Sequence, residues 1–419
     1  KLTVRTFHSL CYSIMRNFGV SEFDNKFKIV GDAKIARDEF SQYTAGETVF
    51  EIFNKILIKN CDTNAYLLAL KRYILDYFID RIHFENRNRP YLQSGKYFTT
   101  LNGTQVRSKS EQYIADWLFR HNIHFNYEPE VNFRDFNFKP DFYIPEANLY
   151  IEHVSDKSFP MYDKEKQFKI AGKHLVKTYE TQTKNSAVFN QVLERTIKNR
   201  LPANYNFTAA LSFEEEFKHY HKEIGDFIRQ VMRVTDMIKV ENSGTHEIFE
   251  KSQKDQHERV RDFYKLATPL INDYQAYCTN KSYLDFNDMI SRTISLFRNR
   301  DEIIDKFRKQ YKYILVDEFQ DVNNLQVELI RLLLTPRNQL FCVGDDWQSI
   351  YGFRGSNVDF IINFKKYFKN AEIIKLNLNY RSPQHIVGAS NEVIKYNKYR
   401  ISKELSSLKK SNRKIHIYS

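Results

Sequence analysis

Val316-Asp317-Glu318-Phe319-Gln320-Asp321 follows an apolar run, Tyr313-Ile314-Leu315-Val316. That run has the length and composition of a short buried strand. A strand ending in Asp-Glu sets two carboxylates at the carboxyl edge of a sheet, where open α/β folds bind ligands. The two acids can divide one task, with Asp317 orienting a Mg²⁺ ion and Glu318 activating a water. Acidic strand ends also occur without such a role, so the weight falls on two further segments downstream.

About twenty residues on lies Leu340-Phe341-Cys342-Val343-Gly344-Asp345-Asp346-Trp347-Gln348-Ser349-Ile350-Tyr351-Gly352-Phe353-Arg354-Gly355, and then Leu378-Asn379-Tyr380-Arg381-Ser382. The first of these is another apolar strand, followed by a turn with Gly and Asp, a Gln and an aromatic-Arg cluster. With the Walker-B character of Asp317-Glu318, the three segments resemble motifs II, III and IV of superfamily 1A helicases of the UvrD/Rep type. The resemblance implies an α/β fold: a RecA-like parallel-sheet motor domain of the P-loop NTPase type with a helical accessory domain. It assigns Mg²⁺ to Asp317 and the attacking water to Glu318. It also assigns γ-phosphate sensing to Gln348, γ-phosphate contact to Arg381 and adenine stacking to Tyr380. A guanidinium suits that contact because its fork of donors meets a phosphate bidentately. Tyr351, Phe353 and Arg354 match residues that contact single-stranded DNA, where aromatic faces accept any base.

Near the start, Val4-Arg5-Thr6-Phe7-His8-Ser9-Leu10-Cys11 resembles the helicase motif that touches DNA phosphates through Thr6, His8 and Ser9. Its plainer reading is a helix start capped by Thr6 or Ser9. Leu284-Asp285-Phe286-Asn287-Asp288 resembles a helicase segment preceding motif II, and an Asp-capped helix start accounts for Asp285 equally well.

Lys and Arg total 64 against 52 Asp and Glu, a net charge of +12. That excess suits a polyanionic partner, with single-stranded or partly duplex DNA the default. The four cysteines, Cys11, Cys61, Cys278 and Cys342, form no C-x-x-C pair. This argues against a disulfide framework or zinc site and suits a reducing cytoplasm. No apolar run is long enough to span a membrane.

Residues 1–90 are expected to hold the start of motor domain 1A and accessory helices. Ile52, Phe53, Ile56 and Leu57, then Leu67, Leu68, Leu70, Tyr73 and Ile74, mark core-facing helices. Residues 91–106, with Asn102 and Gly103, read as a linker or loop. Residues 201–310 are expected to be a helical accessory (1B-like) region, and 311–390 the rest of the motor domain. Residues 391–419 should begin a second motor domain or a linker, with Lys414 to Tyr418 as one more strand.

Residues 107–200 change character. Glu111 lies in a helical stretch, Asp141 follows Pro140, and Glu152 lies in the apolar run Leu149-Tyr150-Ile151-Glu152-His153-Val154. The pattern resembles the PD-(D/E)XK nuclease core, so an inserted α/β nuclease-like module is expected. In that core, carboxylates converge on divalent cations that activate water and stabilise the leaving oxygen. Mg²⁺ or Mn²⁺, held by Asp141 and Glu152, is implied. The family's Lys two residues after the Glu is Val154 here. Lys164 matches the downstream Lys of nuclease-bearing, helicase IV-like proteins, with Lys166 in reserve. Plainer readings exist: Ser108 and Glu111 form a capping-box pattern, and Asp141 suits a turn beside Pro140.

No G-x-x-x-x-G-K-[ST] sequence occurs among the 12 glycines, so the backbone cradle for β/γ-phosphates is missing. The expectation is a fragment of a longer helicase, lacking Walker A and the second motor domain. The longer protein is expected to move 3′→5′ on DNA with ATP and Mg²⁺ and to couple this to DNA cleavage. The rivals are an autonomous metal-dependent nuclease and a non-catalytic DNA-binding protein with degenerate sites.

Overall fold

The computed structural model describes residues 2–19, 26–30, 44–79, 97–133, 136–154, 162–183, 186–202, 212–241, 243–352, 355–411 and 415. The chain forms two compact units, one of residues 1–53, 229–254 and 268–419, the other of 54–228 and 255–267. These units cut across the five segments drawn from sequence. Residues 54–79 group with 107–200, and 268–310 with the motif-bearing segment. Helix spacing marks a buried face but not which partner covers it, so such groupings are not readable in one dimension. Among the described residues no helix is long and apolar enough to cross a membrane.

In the first unit, Tyr313–Val316 and Gln339–Cys342 pair as parallel strands, with Val316 opposite Cys342. The expected burial of Tyr313–Val316 is corrected: Val316 is buried, whereas Tyr313 and Leu315 are exposed. Alternate residues of a strand face opposite sides, and only one side packs here. The Asn324–Leu333 helix lies between two apolar clusters. Its Leu325 and Leu329 join Met15, Met289 and Phe297, while Val327 and Ile330 join Val316, Phe319 and Phe360. Leu378–Pro383 pairs in parallel with Ser406–Lys409. The strand expected over Lys414 to Tyr418 falls largely outside the described residues.

A buried ionic knot pins the Phe286–Asn299 helix. Asp285 and Asp288 form its capping box, and Lys239 Nζ lies 2.5 Å from Asp285 Oδ2 and 2.8 Å from Asp288 Oδ1. Tyr274 donates a hydrogen bond to Asp285 Oδ2 at 3.2 Å. Burial, and then the Asp285 charge, push Asp288 up to about 6. The cap expected from sequence is therefore present, with a lysine added that no local pattern announces.

In the second unit a four-stranded sheet runs in the order Asn126–Tyr127, Phe142–Ile144, Leu149–Val154, His174–Tyr179. The last pair is parallel and the other two antiparallel. Leu149 and Ile151 pack on one face against Ile114 and Leu118 of the Lys109–Arg120 helix and Phe189, Leu193 and Ile197 of Ser186–Lys198. Tyr150 packs on the other face against Phe168 of Tyr162–Ile170. Part of the expected 91–106 linker is a hairpin, Phe98–Thr99 with Gln105–Val106. Its turn holds Gly103 at φ +82, a conformation that favours glycine. Residues 91–96 lie outside the described set.

Breaking a buried ion pair from one side strands the other charge, at a cost of about 3–5 kcal/mol. Lys239→Met is therefore expected to lower unfolding stability by roughly that amount at pH 8 in urea titrations. The loss should shrink at pH 5, where Asp285 and Asp288 can take up protons. A loss independent of pH would count against the knot.

Candidate functional site

The parallel register delivers Asp317-Glu318 and Gly344-Asp345 to the same sheet edge. Beyond Val316 the chain turns at once, because Glu318 adopts left-handed backbone angles (φ 52, ψ 42). Such a conformation costs about 1–3 kcal/mol for a residue other than glycine, and the Glu318 amide offsets part of it by donating to Asp317 Oδ1 at 3.0 Å. Both carboxylates are exposed.

Gln320, 2% exposed, joins the two strand ends. Its Nε2 donates to Glu318 Oε2 at 2.7 Å, and its Oε1 accepts the Asp345 amide at 3.0 Å. Asp345 Oδ2 in turn accepts Gln348 Nε2 at 2.8 Å. Glu318, Gln320, Asp345 and Gln348 thus form one hydrogen-bonded path, which passes through the Asp345 backbone amide. Glycine is required at 344 for space: an added Cβ would lie 2.7 Å from Gln320 Oε1 and 2.8 Å from Ile361 Cδ1.

Lys403 ties a distant segment to this path. Its Nζ lies 2.5 Å from Asp345 Oδ1 and 2.9 Å from Asp346 Oδ1. The Ile401 amide donates to Asp346 Oδ2 at 2.7 Å, and Trp347 Nε1 donates to the Ile401 carbonyl at 3.2 Å. Burial alone would raise the Asp345 pKa, but hydrogen bonds from Lys403 and Gln348 hold it below the ordinary value.

Tyr380 and Arg381 lie on Leu378–Pro383, both exposed, with the Arg381 and Ser382 amides donating to Asn379 Oδ1 at 3.0 and 2.8 Å. Arg381 forms no ion pair among the described residues, so the surface-salt-bridge reading has no support there. Thr6 caps the Phe7–Phe18 helix by accepting the Ser9 amide at 3.1 Å. The His8 ring meets Phe286 edge-on with centroids 5.2 Å apart, and burial lowers its pKa against the pull of Asp285. The structure thus gives Thr6 and Ser9 the capping geometry and His8 a packing contact. Tyr351 is 38% exposed. Phe353 and Arg354 lie outside the described residues.

The second constellation forms by strand alternation. Glu152 shares the face of Tyr150, so it points toward the Tyr162–Ile170 helix, and Lys164 Nζ from that helix lies 2.5 Å from Glu152 Oε1. Lys166 is exposed. Asp141 Oδ2 accepts the His153 amide at 2.5 Å. Burial pushes the Asp141 pKa up to about 7, with the neighbouring Glu152 and Glu111 charges adding to it and the His153 amide opposing it. Glu111 accepts hydrogen bonds from Ser108 Oγ at 2.7 Å and from Tyr127 OH at 2.5 Å. Of the capping box expected here only half forms: Ser108 Oγ accepts the Glu111 amide at 3.1 Å, while the Glu111 carboxylate accepts the Arg107 amide rather than that of Ser108.

A divalent cation fits two of these acids, because Glu152 Oε2 is buried with no hydrogen-bond partner and Asp141 is pressed toward its neutral form. Among the described residues, no set of three or more His, Cys, Asp or Glu side chains is gathered as a metal cage. Glu111, turned to Ser108 and Tyr127, is the acid held back.

Sequence reasoning missed four contributors: Gln320, Lys403, Tyr127 and His153. The His153 ring bonds Thr178 Oγ1 through Nδ1 and Glu180 Oε2 through Nε2, each at 2.9 Å. Gln320 stood inside the opening hexapeptide, and a polar residue between strand end and helix could have flagged it. Lys403 carries no local signal within a Lys-rich tail.

Gly344→Ala should displace the Gln320 side chain and cost about 1–3 kcal/mol, the range for stranding buried polar atoms. Hydrogen exchange at the Asp345 amide should accelerate, and unchanged protection would refute the Gln320 bridge. Asp141 supplies a pH test. Its folded pKa of about 7 lies above the ordinary 3.8, so its stabilising contribution is present at low pH and lost as pH rises from about 4 to 7. Asp141→Asn should therefore melt higher than the parent in EDTA at pH 8, by up to about 4 kcal/mol, with the advantage gone at pH 4. The reverse order would exclude a buried, strained Asp141.

The chain matches the UvrD/REP helicase N-terminal domain over residues 1–369. It is 45% identical over 142 residues to a probable DNA helicase II homolog of Mycoplasma capricolum, covering 34% of this chain and 20% of that protein. It is 41% identical over 146 residues to the putative ATP-dependent DNA helicase YjcD of Bacillus subtilis, covering 35% and 19%. With the ATP-dependent DNA helicase PcrA of Staphylococcus aureus it shares 37% identity over 169 residues, 40% and 23% of the two chains. The aligned stretches span about a fifth of these relatives' lengths. With the domain match extending over most of its length, the chain belongs to the UvrD/REP helicase N-terminal domain family.

Proposed function

We propose that this chain is part of an ATP-dependent DNA helicase motor that tracks 3′→5′ on single-stranded or partly duplex DNA. The observation that carries this reading is the path Glu318–Gln320–Asp345–Gln348, which joins the two loops where a phosphoryl-transfer site needs its water-positioning and phosphate-sensing groups. In this reading Asp317 holds Mg²⁺, whose charge offsets that of the phosphates. Glu318 positions the water, Gln348 and Arg381 meet the γ-phosphate, and Tyr380 stacks on adenine. Thr6, His8, Ser9, Tyr351, Phe353 and Arg354 form the DNA side. The phosphate cradle and the arginine finger are proposed to lie in parts of a longer protein outside these 419 residues. In that complete motor, Glu318→Gln should lower DNA-stimulated ATP hydrolysis by at least about 100-fold while leaving DNA affinity unchanged. Hydrolysis at the parental rate would sink the assignment.

A second activity, metal-dependent DNA cleavage, rests on the Glu152–Lys164 contact and the unpartnered Glu152 Oε2. Asp141 and Glu152 would hold Mg²⁺ or Mn²⁺, which supplies an activated water and stabilises the leaving oxygen. The Lys164 ammonium, 2.5 Å from Glu152 Oε1, would take the part of the family lysine that Val154 replaces and offset charge gathering on the phosphodiester. The purified chain should cut a single-stranded oligodeoxynucleotide with Mn²⁺ and not in EDTA, and Glu152→Ala should abolish cutting. Cutting that survives Glu152→Ala would place the chemistry elsewhere, and a parent that never cuts would leave a non-catalytic DNA-binding module.

A further inference from the structure

The second unit contains a cleft of about 750 Å³ lined by Ala147, Asn148, His174, Val176, Arg195, Thr196, Asn199 and Arg200. Two of these are arginines, one is a histidine, and none is acidic. The cleft lies at the amino end of the two parallel strands, where Leu149 stands opposite His174. Glu152 is three residues further along, roughly 10 Å by strand rise. Val176 packs with the core that holds Leu149, Ile151 and Leu193, so the cleft opens on the face opposite Glu152 and Lys164. It is thus separate from Glu152 and Lys164 by both face and end of the sheet.

Pairing within this unit singles the cleft out. Arg72, Arg107 and Arg120 each reach a carboxylate. Arg259 lies over the Tyr77 ring, and Arg261 donates to the Asp255 carbonyl. Lys198, on the same helix as Arg195, is paired with Glu194. Among the described residues, Arg195 and Arg200 are the arginines of this unit without any such partner, and both line the cleft. A basic residue at a helix carboxyl end is favoured by the helix dipole, which accounts for one arginine there. It does not account for His174, brought in from a neighbouring strand, or for the amide and hydroxyl groups of Asn148, Asn199 and Thr196. Guanidinium forks beside neutral donors are the chemistry that recognises phosphate.

We propose that this cleft binds backbone phosphates of a DNA strand, through Arg195 and Arg200 with His174 beside them. The proposal rests on the DNA-binding reading of this chain and adds a contact surface outside both the motor motifs and the carboxylate cluster. Such a contact is sequence-tolerant and weakens with salt.

The test is fluorescence anisotropy of a labelled single-stranded oligodeoxynucleotide with the purified chain across a salt series. Each phosphate contact on a single strand contributes a salt slope of about 0.7, so losing two should flatten it by roughly 1.4. Arg195→Ala with Arg200→Ala should therefore bind about tenfold more weakly at 0.1 M salt, with the flatter slope. The paired Lys variants should restore most of the slope. Lys251→Ala with Lys254→Ala, which removes equal charge from an exposed helix end elsewhere, should leave the slope nearer the parent's. If the alanine pair fails to fold by circular dichroism, Arg195→Gln with Arg200→Gln, which keeps side-chain bulk but removes both charges, carries the same comparison. A parent that binds no DNA overturns the DNA-binding reading itself. A parent that binds, with an alanine pair of equal affinity and slope, overturns the cleft alone. Inorganic phosphate that raises the parent's melting temperature but not the variant's, with DNA affinity unchanged, would assign the cleft to a free phosphate compound and overturn the DNA assignment.

Discussion

The parallel pairing of Tyr313–Val316 with Gln339–Cys342 is the constraint on which the motor side depends. In parallel strands both chains leave the sheet at the same edge, so a fixed register decides which residues of two distant loops meet. Here it sets Val316 against Cys342 and lets the Val343 amide donate to the Val316 carbonyl at 2.9 Å. A slip of one residue would turn every side chain to the other face and separate Gln320 from Asp345. Gln320 then converts alignment into connection. It is buried, its amide reaches one loop and its carbonyl the other, and it has room only because residue 344 lacks a Cβ. Lys403 extends the same link to the segment leading into Ser406–Lys409, whose partner strand carries Tyr380 and Arg381.

How much of this was legible in the chain depends on the range of each interaction. Strand ends and caps are local, so Asp317-Glu318, the Thr6 cap and the Asp285 capping box could be read from neighbouring residues. Glu152 was legible because a carboxylate in an apolar strand needs a partner. The choice between Lys164 and Lys166 was not secure from sequence, since both belong to one polar helix whose rotation about its axis is set by Phe168 packing on Tyr150. Val154 stands where the resemblance leads one to expect a lysine, and Lys164 reaches Glu152 from another element. The pairings of Lys239 with Asp285 and Lys403 with Asp345 join residues 46 and 58 positions apart. Neither leaves a periodic trace. The grouping of residues 54–79 with the four-stranded sheet escapes for the same reason.

The two acidic centres are prepared differently. At the motor edge the carboxylates are exposed, and backbone strain at Glu318 rather than desolvation fixes their geometry. In the second unit the acids are drawn inward, and Asp141 titrates near 7 because burial and two acidic neighbours oppose its charge. One lysine among three acids leaves the cluster short of positive charge. The folded state carries that cost as pH rises.

Strand alternation sorts charge across that sheet. On Leu149–Val154, Glu152 shares parity with Tyr150 and faces the Tyr162–Ile170 helix, while His153 shares parity with Ile151 and meets Phe189 at 6.3 Å between ring centroids. The same rule on His174–Tyr179 puts His174 and Val176 on the side of Phe189, Arg195 and Arg200. One face therefore carries Glu152 with Lys164, and the other carries the His153–Glu180 pair together with His174, Arg195 and Arg200. This arrangement needs no conformational switch, only the period of two that every strand imposes.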